Sequence, residues 1–262
     1  MAVPVALTIA GSDPSGGAGV QADLKTFHQF GVYGEAVITL LTVQNTRTVS
    51  RVECLETALI LEQLGAVLDD IPPGAAKTGA LGSRAIVEAV AAAAAGFRFP
   101  LVVDPVMLSK HGAPLLDGAA VEALRARLIP RATLVTPNLA EAAALAGIEV
   151  SSLDQMREAA RRIAGLGAGA VLVKGGHRAG DATDVLFAEG VLHEFPAPRV
   201  DTPHTHGTGC TYSAAITAGL AGGAPLEIAV ARAKRFIACA IASSPGLGHG
   251  AGPVNHHAVV DW

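Results

Sequence analysis

Apolar residues gather into short runs at 5–10, 36–43, 101–104, 133–136 and 170–174, and the stretches between most of them are long enough to hold crossover helices. Strands that alternate with helices in this way imply a parallel sheet covered by helices. Val121, Leu124 and Leu128 recur at helical spacing, as do Met156, Ala160, Ile163 and Leu166, which predicts amphipathic helices ahead of the fourth and fifth runs. The alanine run at 91–95 sits in a similar pattern and reads as ordinary helix. Two shorter runs, 185–188 and 191–195, are separated by Glu189-Gly190, a two-residue turn signal in which glycine supplies the unusual backbone angle. They predict a small antiparallel hairpin annexed to the sheet. Residues 207–220 and 226–243 read as two closing helices, followed by a tail at 245–262 rich in Gly, Pro and His. No linker or internal repeat divides the chain, and 262 residues fit one α/β domain.

Half of the residues are hydrophobic but only 4% are aromatic, so the core is expected to be aliphatic. Nineteen basic residues against 23 acidic ones give a formal charge of −4. There is no cationic stripe, which argues against nucleic acid as a partner. No stretch reaches about 18 uncharged apolar residues, and no basic run precedes an apolar segment at the N-terminus, so neither a membrane span nor export is indicated. Cys54, Cys210 and Cys239 are odd in number and far apart, which suits a reducing cytoplasm better than a disulfide framework.

The segment His204-Thr205-His206-Gly207-Thr208-Gly209-Cys210 runs straight into an apolar helical stretch. The first turn of a helix has unpaired N–H groups and a positive dipole end, and glycines let an anion approach the backbone. Gly207, Thr208 and Gly209 are therefore candidates to hold a phosphate. Cys210 on that turn is expected to have a lowered thiol pKa and to accept a proton. The same residues also fit a plain tight turn with a small buried cysteine. A metal site of His204, His206 and Cys210 is a third reading, although the spacing is not that of a standard zinc site. His256-His257, in an exposed-looking tail, is a further candidate of the same kind.

A second glycine-rich segment at 11–19 follows the first strand and precedes a helical run at 21–30. It matches neither the P-loop nor the dinucleotide fingerprint, yet it lies where ligands gather in open α/β sheets. Gln44, Asn45, Asp104 and Lys174 end or follow other predicted strands, so these side chains are expected to converge on one rim. Asn138 and Glu141 come just after the strand at 133–136, with Pro137 at a helix start. Asp104 and Glu141 form a carboxylate pair suited to Mg²⁺, directly or through water, whereas Glu141 alone also fits a first-turn carboxylate favoured by the helix dipole.

Read together, the blocks at 6–19, 21–25, 43–46, 102–107, 136–139, 173–177, 204–210 and 245–250 resemble the ribokinase-like superfamily over nearly the full length. Within it they are similar to the hydroxymethylpyrimidine/phosphomethylpyrimidine kinases. The resemblance implies an α/β ribokinase-like fold, with a central, mostly parallel sheet flanked by helices on both faces. It also implies ATP-dependent phosphorylation of 4-amino-5-hydroxymethyl-2-methylpyrimidine and then of its monophosphate, in one site, with Mg²⁺ and by a homodimer. By the same resemblance Gly11, Asp23, Gln44, Ala80 and Val106 bind the pyrimidine, and Asp23 and Gln44 read its ring nitrogen and amino group. Lys174, Asn138, Thr208 and Gly209 would contact ATP, Asp104 and Glu141 the metal, and the 207–210 amides the transferring phosphoryl group. Cys210 stands where many relatives carry an aspartate base, which favours the pyrimidine branch. Ala80, in Lys77-Thr78-Gly79-Ala80, stands where that branch usually carries methionine. A roomier pocket follows, to be refilled by Leu81 or Met107, and pyridoxine or pyridoxal stays open as a substrate. A catalytically silent binder on the same fold is the alternative outside enzymes.

Overall fold

The computed structural model describes residues 3–110, 112–176 and 180–260. His177, at the end of the 173–177 block, and the last two residues of the tail lie outside the described residues. In chain order the elements are β1 (Val5–Ser12), α1 (Gly19–Gln29), β2 (Tyr33–Gln44), β3 (Val49–Cys54), α2 (Thr57–Asp70), β4 (Ala75–Thr78) and α3 (Arg84–Ala94). They continue with β5 (Leu101–Val103), α4 (Gly118–Ala123), β6 (Leu134–Val135), α5 (Leu139–Ala146), α6 (Leu153–Ala164) and β7 (Ala170–Val173). The chain closes with β8 (Asp184–Ala188), β9 (Val191–Phe195), α7 (Thr208–Ala221) and α8 (Leu226–Ala242).

Among the described residues nine strands form one sheet in the order β3-β2-β1-β4-β5-β6-β7-β8-β9. The pairs from β2 to β7 are parallel, and both edges are antiparallel. Side chains alternate across each strand. Leu7, Ile9, Val103, Val135 and Val171 pack on one face against Ile60, Ile86, Val90, Leu145 and Met156 of the helices α2, α3, α5 and α6. Their neighbours Val102, Leu134, Ala170 and Leu172 pack on the other face against Tyr212, Ile216, Val230 and Phe236 of α7 and α8. Helices thus cover both faces, and the core is aliphatic as composition implies.

The five expected parallel strands and the hairpin are all present. In the hairpin turn Glu189 has φ 51° and Gly190 φ 80°, the double positive φ of a tight two-residue turn. The hairpin is joined to the sheet through β8, which pairs directly with β7 and extends the main sheet. The sequence reading passed over β3, whose side chains are mostly exposed, and β4, whose apolar run is interrupted by Lys77. The helix expected through Val121, Leu124 and Leu128 is α4 followed by a π turn at Leu124–Leu128 and a 3₁₀ turn holding Pro130, since proline cannot continue the ladder. No described helix is long and apolar enough to cross a membrane.

Glu35, on β2, is buried, and its Oε2 has no hydrogen-bond partner among the described residues. Burial, with the Asp70 carboxylate nearby, pushes its carboxyl up to about 7. A raised carboxyl binds its proton more tightly in the folded chain than in the unfolded one, so stability falls as pH rises from the ordinary value through 7. The Glu35→Gln variant is expected to melt higher than the wild type at pH 8, by about 2 °C, and level with it at pH 5. Equal melting temperatures at both pH values would contradict this.

Candidate active site

The polar strand ends converge at Gln44, Asp104 and Lys174 but not at Asn45, whose Oδ1 accepts the Arg47 and Thr48 N–H groups in its own turn. A cavity of about 1130 Å³ opens at the carboxyl ends of the parallel strands, lined by Gly11 near the end of β1, Gln44 of β2, Ala80 after β4, Asp104 after β5, Asn138 after β6 and Lys174 after β7. This is the crevice where open α/β sheets bind ligands.

One group of charges lies over β5 to β7. Lys174 N–H donates to Pro137 O at 2.8 Å, which carries the lysine past the end of β7. Its Nζ then lies 2.9 Å from Asp104 Oδ1. Thr136 Oγ1 donates to the same carboxylate oxygen and Ser213 Oγ to Oδ2, each at 3.3 Å. Burial works against the charge of Asp104, but Lys174 and Lys77 hold its carboxyl below the usual range. Burial likewise opposes the Lys174 charge, and Asp104 and Glu141 hold it on. Glu141 completes a capping box at the start of α5: its Oε2 accepts the Asn138 N–H at 2.8 Å, and Asn138 Oδ1 accepts the Glu141 N–H at 3.0 Å. Burial pushes the Glu141 carboxyl up to about 7, with Lys174 pulling it down and Asp104 pushing it up.

The start of α7 faces the same cavity. Gly207 precedes the helix with φ 78°, and a Cβ there would fall 1.7 Å from Gly17 O, so only glycine lets the 11–19 loop lie against this turn. The N–H groups of Gly209 and Cys210 have no acceptor among the described residues. A Cβ on Gly209 would sit 3.3 Å from Lys174 Nζ, so these donors and the ammonium serve one spot. Together they form a pocket for an anion. The lowered thiol expected at Cys210 is not what the fold produces. Burial pushes the thiol up to about 12, with Lys77 pulling down and Asp23 and Asp104 pushing up. The helix dipole is outweighed by the loss of water.

Of the expected pyrimidine-binding residues, Gly11, Gln44, Ala80 and Val106 line the cavity, and Asp23 does not. Asp23 is fully buried below the wall, with Oδ2 accepting from Thr8 Oγ1 and Oδ1 from Lys77 Nζ, both at 2.6 Å. Its oxygens are committed to the protein. Leu81 and Met107 belong to the core and do not refill the space beside Ala80; Leu40 lines that part of the wall instead. Lys77 was overlooked, though a lysine inside an apolar run signals a buried charge that needs a partner.

The histidines do not form a metal site, since no cluster of three or more metal-type side chains exists among the described residues. His204 Nδ1 accepts the Gly252 N–H, and His206 Nε2 lies 2.7 Å from Asp13 Oδ2. His256 is buried rather than exposed, with Nε2 3.1 Å from Thr211 Oγ1. Burial lowers its pKa to about 4.

Comparison with known proteins gives consistent matches. The family profile described as phosphomethylpyrimidine kinase matches residues 13–255. The chain is 52% identical over 252 residues to the bifunctional thiamine biosynthesis protein of Geobacter sulfurreducens, covering 95% of this chain and 51% of that protein. It therefore spans about half the length of that relative. It is 47% identical over 253 residues to the hydroxymethylpyrimidine/phosphomethylpyrimidine kinase of Streptomyces coelicolor, covering 97% of this chain and 94% of the relative. The crystal structure of an ADP complex of Bacillus subtilis pyridoxal kinase superposes with a TM-score of 0.92 at 42% identity, covering 98% of each chain.

Proposed function

The chain belongs to the phosphomethylpyrimidine kinase family, and on that premise we propose that it transfers the γ-phosphoryl group of ATP to hydroxymethylpyrimidine and then to the resulting monophosphate, in thiamine diphosphate biosynthesis. The observation that carries this reading is the shared cavity: Lys174, Asp104, Glu141 and the free amides of Gly209 and Cys210 line the same space as Gln44, Ala80 and Val106. A cytoplasmic homodimer is part of the same reading.

Lys174 and the amides of Gly209 and Cys210 would hold the γ-phosphate and take up charge as the phosphoryl group moves, with Asn138 and Thr208 at the nucleotide. Asp104 and Glu141 offer hard oxygen atoms beside that spot. This donor set fits Mg²⁺, which takes one or two carboxylates and keeps several waters, and the ion would neutralise phosphate charge there. The substrate oxygen attacks the γ-phosphorus, the bond to the bridging oxygen breaks, and ADP leaves. A thiol held near 12 is protonated in the free site, so Cys210 serves by guiding the attacking hydroxyl rather than as a standing thiolate. A loose transition state asks little of a base, and the hydroxyl proton leaves late to a phosphoryl oxygen.

The resemblance to a pyridoxal kinase structure, with the small Ala80 beside Leu40 and Gly11 on the cavity wall, favours pyridoxal as the second reading. Purified protein with Mg²⁺ and ATP is tested on hydroxymethylpyrimidine, its monophosphate and pyridoxal, with product masses recorded. Phosphorylation of both pyrimidines is the expected result, pyridoxal turnover alone would overturn it, and tight pyrimidine binding without turnover would indicate a silent binder. Cys210→Ala is expected to slow both pyrimidine reactions by roughly 10- to 100-fold. An unchanged rate would remove the thiol from the mechanism.

A further inference from the structure

What Gln44 offers a substrate depends on which end of its amide faces the cavity, and His206 governs that choice. The His206 ring is only 2% exposed and lies under Gly17, where a Cβ would fall 2.5 Å from ring Cδ2. Its Nε2 stands 2.7 Å from Asp13 Oδ2. The Asp13 carboxylate also accepts from the N–H groups of Ser15, Gly17 and Ala18 and from the Ser15 hydroxyl. Burial works against its charge, yet the His206 and Ser15 hydrogen bonds hold the carboxyl below its usual range. A carboxylate surrounded by donors requires Nε2 to carry the ring proton. Nδ1 is buried with no partner among the described residues, so nothing draws the proton to the other nitrogen.

Gln44 Nε2 approaches that same His206 Nε2 at 3.1 Å. Two donors facing each other at this distance repel, whereas a half-turn of the amide places Gln44 Oε1 there, sharing the ring proton. The same turn swings the amide NH₂ away from His206 toward the cavity that Gln44 lines.

We propose that the Asp13–His206 pair fixes the Gln44 amide with its oxygen inward, so that the cavity wall presents N–H donors at this point. His206 is thereby a positioning residue for substrate choice, and the accepted heteroaromatic alcohol carries a lone-pair acceptor, a ring nitrogen, opposite Gln44. The substrate's amino group, a donor, is read elsewhere. This inference rests on the pyrimidine kinase reading and sharpens it.

The test is a double-mutant cycle on kcat/KM for hydroxymethylpyrimidine with His206→Ala, Gln44→Ala and the double variant. It is paired with wild-type rates on the two analogues in which one ring nitrogen is replaced by C–H. His206→Ala is expected to cost about 30-fold, mainly through KM, but less than about threefold in the Gln44→Ala background. His206→Gln, which keeps an N–H for Asp13, is expected to recover most of the rate. The wild type is expected to reject one of the two analogues by at least about 30-fold. Additive losses in the cycle, or both analogues accepted as well as the natural substrate, would overturn the inference. The analogue comparison needs no variant, so it can still overturn the acceptor requirement if His206→Ala does not fold, and His206→Gln then carries the cycle. If the wild type turns over only pyridoxal, the pyrimidine reading fails by itself. The same cycle run with pyridoxal then judges the His206 relay separately.

Discussion

Replacing Lys174 by methionine is expected to lower kcat for both phosphorylations by about a thousandfold. Lys174 is the cation beside the unpaired amides of α7, and only 13% of its side chain is exposed. An ammonium in so little water acts on a transferring phosphoryl group with little screening. Its position is fixed by the Asp104 carboxylate at 2.9 Å, so little reorganisation is needed as charge moves. Methionine keeps the length and apolar stem while removing charge and donors. The loss of this cation also raises the Asp104 carboxyl, because Lys174 is the first of the groups that hold it down. Single-turnover kinetics at saturating ATP, with the melting temperature as a control, measures the effect. A loss smaller than about tenfold in a folded variant would show that the α7 amides stabilise the phosphoryl group without the lysine.

Replacing Asp23 by alanine is expected to destabilise the fold by about 3–5 kcal/mol, because it leaves the fully buried Lys77 ammonium without its counter-ion. Burial opposes the Lys77 charge, and Asp23 is the foremost of the groups that hold the ammonium on. Urea unfolding of Asp23→Ala, Lys77→Met and the double variant tests this. The double variant is expected to recover much of the loss, since removing both charges leaves no orphan. The outcome also decides between two roles for Asp23. A side chain that reads the substrate would raise KM and leave unfolding unchanged when replaced, whereas a buried structural anion moves the unfolding midpoint.

Much of the architecture was legible in the chain. The parallel strands are short apolar runs with helical patterns between most of them, and the β8–β9 hairpin is announced by Glu189-Gly190. The edge strand β3 was not legible because its side chains face water and carry little apolar signal. Strand β4 was hidden because Lys77 breaks its apolar run, a residue that makes sense only once Asp23 is beside it. The candidate site was readable at the strand ends, where polar residues interrupt apolar runs, and at the glycines before α7, where the backbone must accept a left-handed turn and close contact with Gly17.

The sequence by itself determined the alternation of strands and helices, the aliphatic core and the set of polar groups delivered to one rim, because periodicity and strand ends are local properties of the chain. Only the tertiary structure decided what those groups are free to do. Burial turned the Cys210 thiol from an expected thiolate into a protonated group, and pairing with Lys77 and Thr8 took Asp23 away from the cavity. His206, a metal ligand only in the third reading of its segment, became the partner of Asp13 and Gln44. Each outcome depends on water exclusion and on partners distant along the chain, and neither is encoded in the spacing of neighbouring residues.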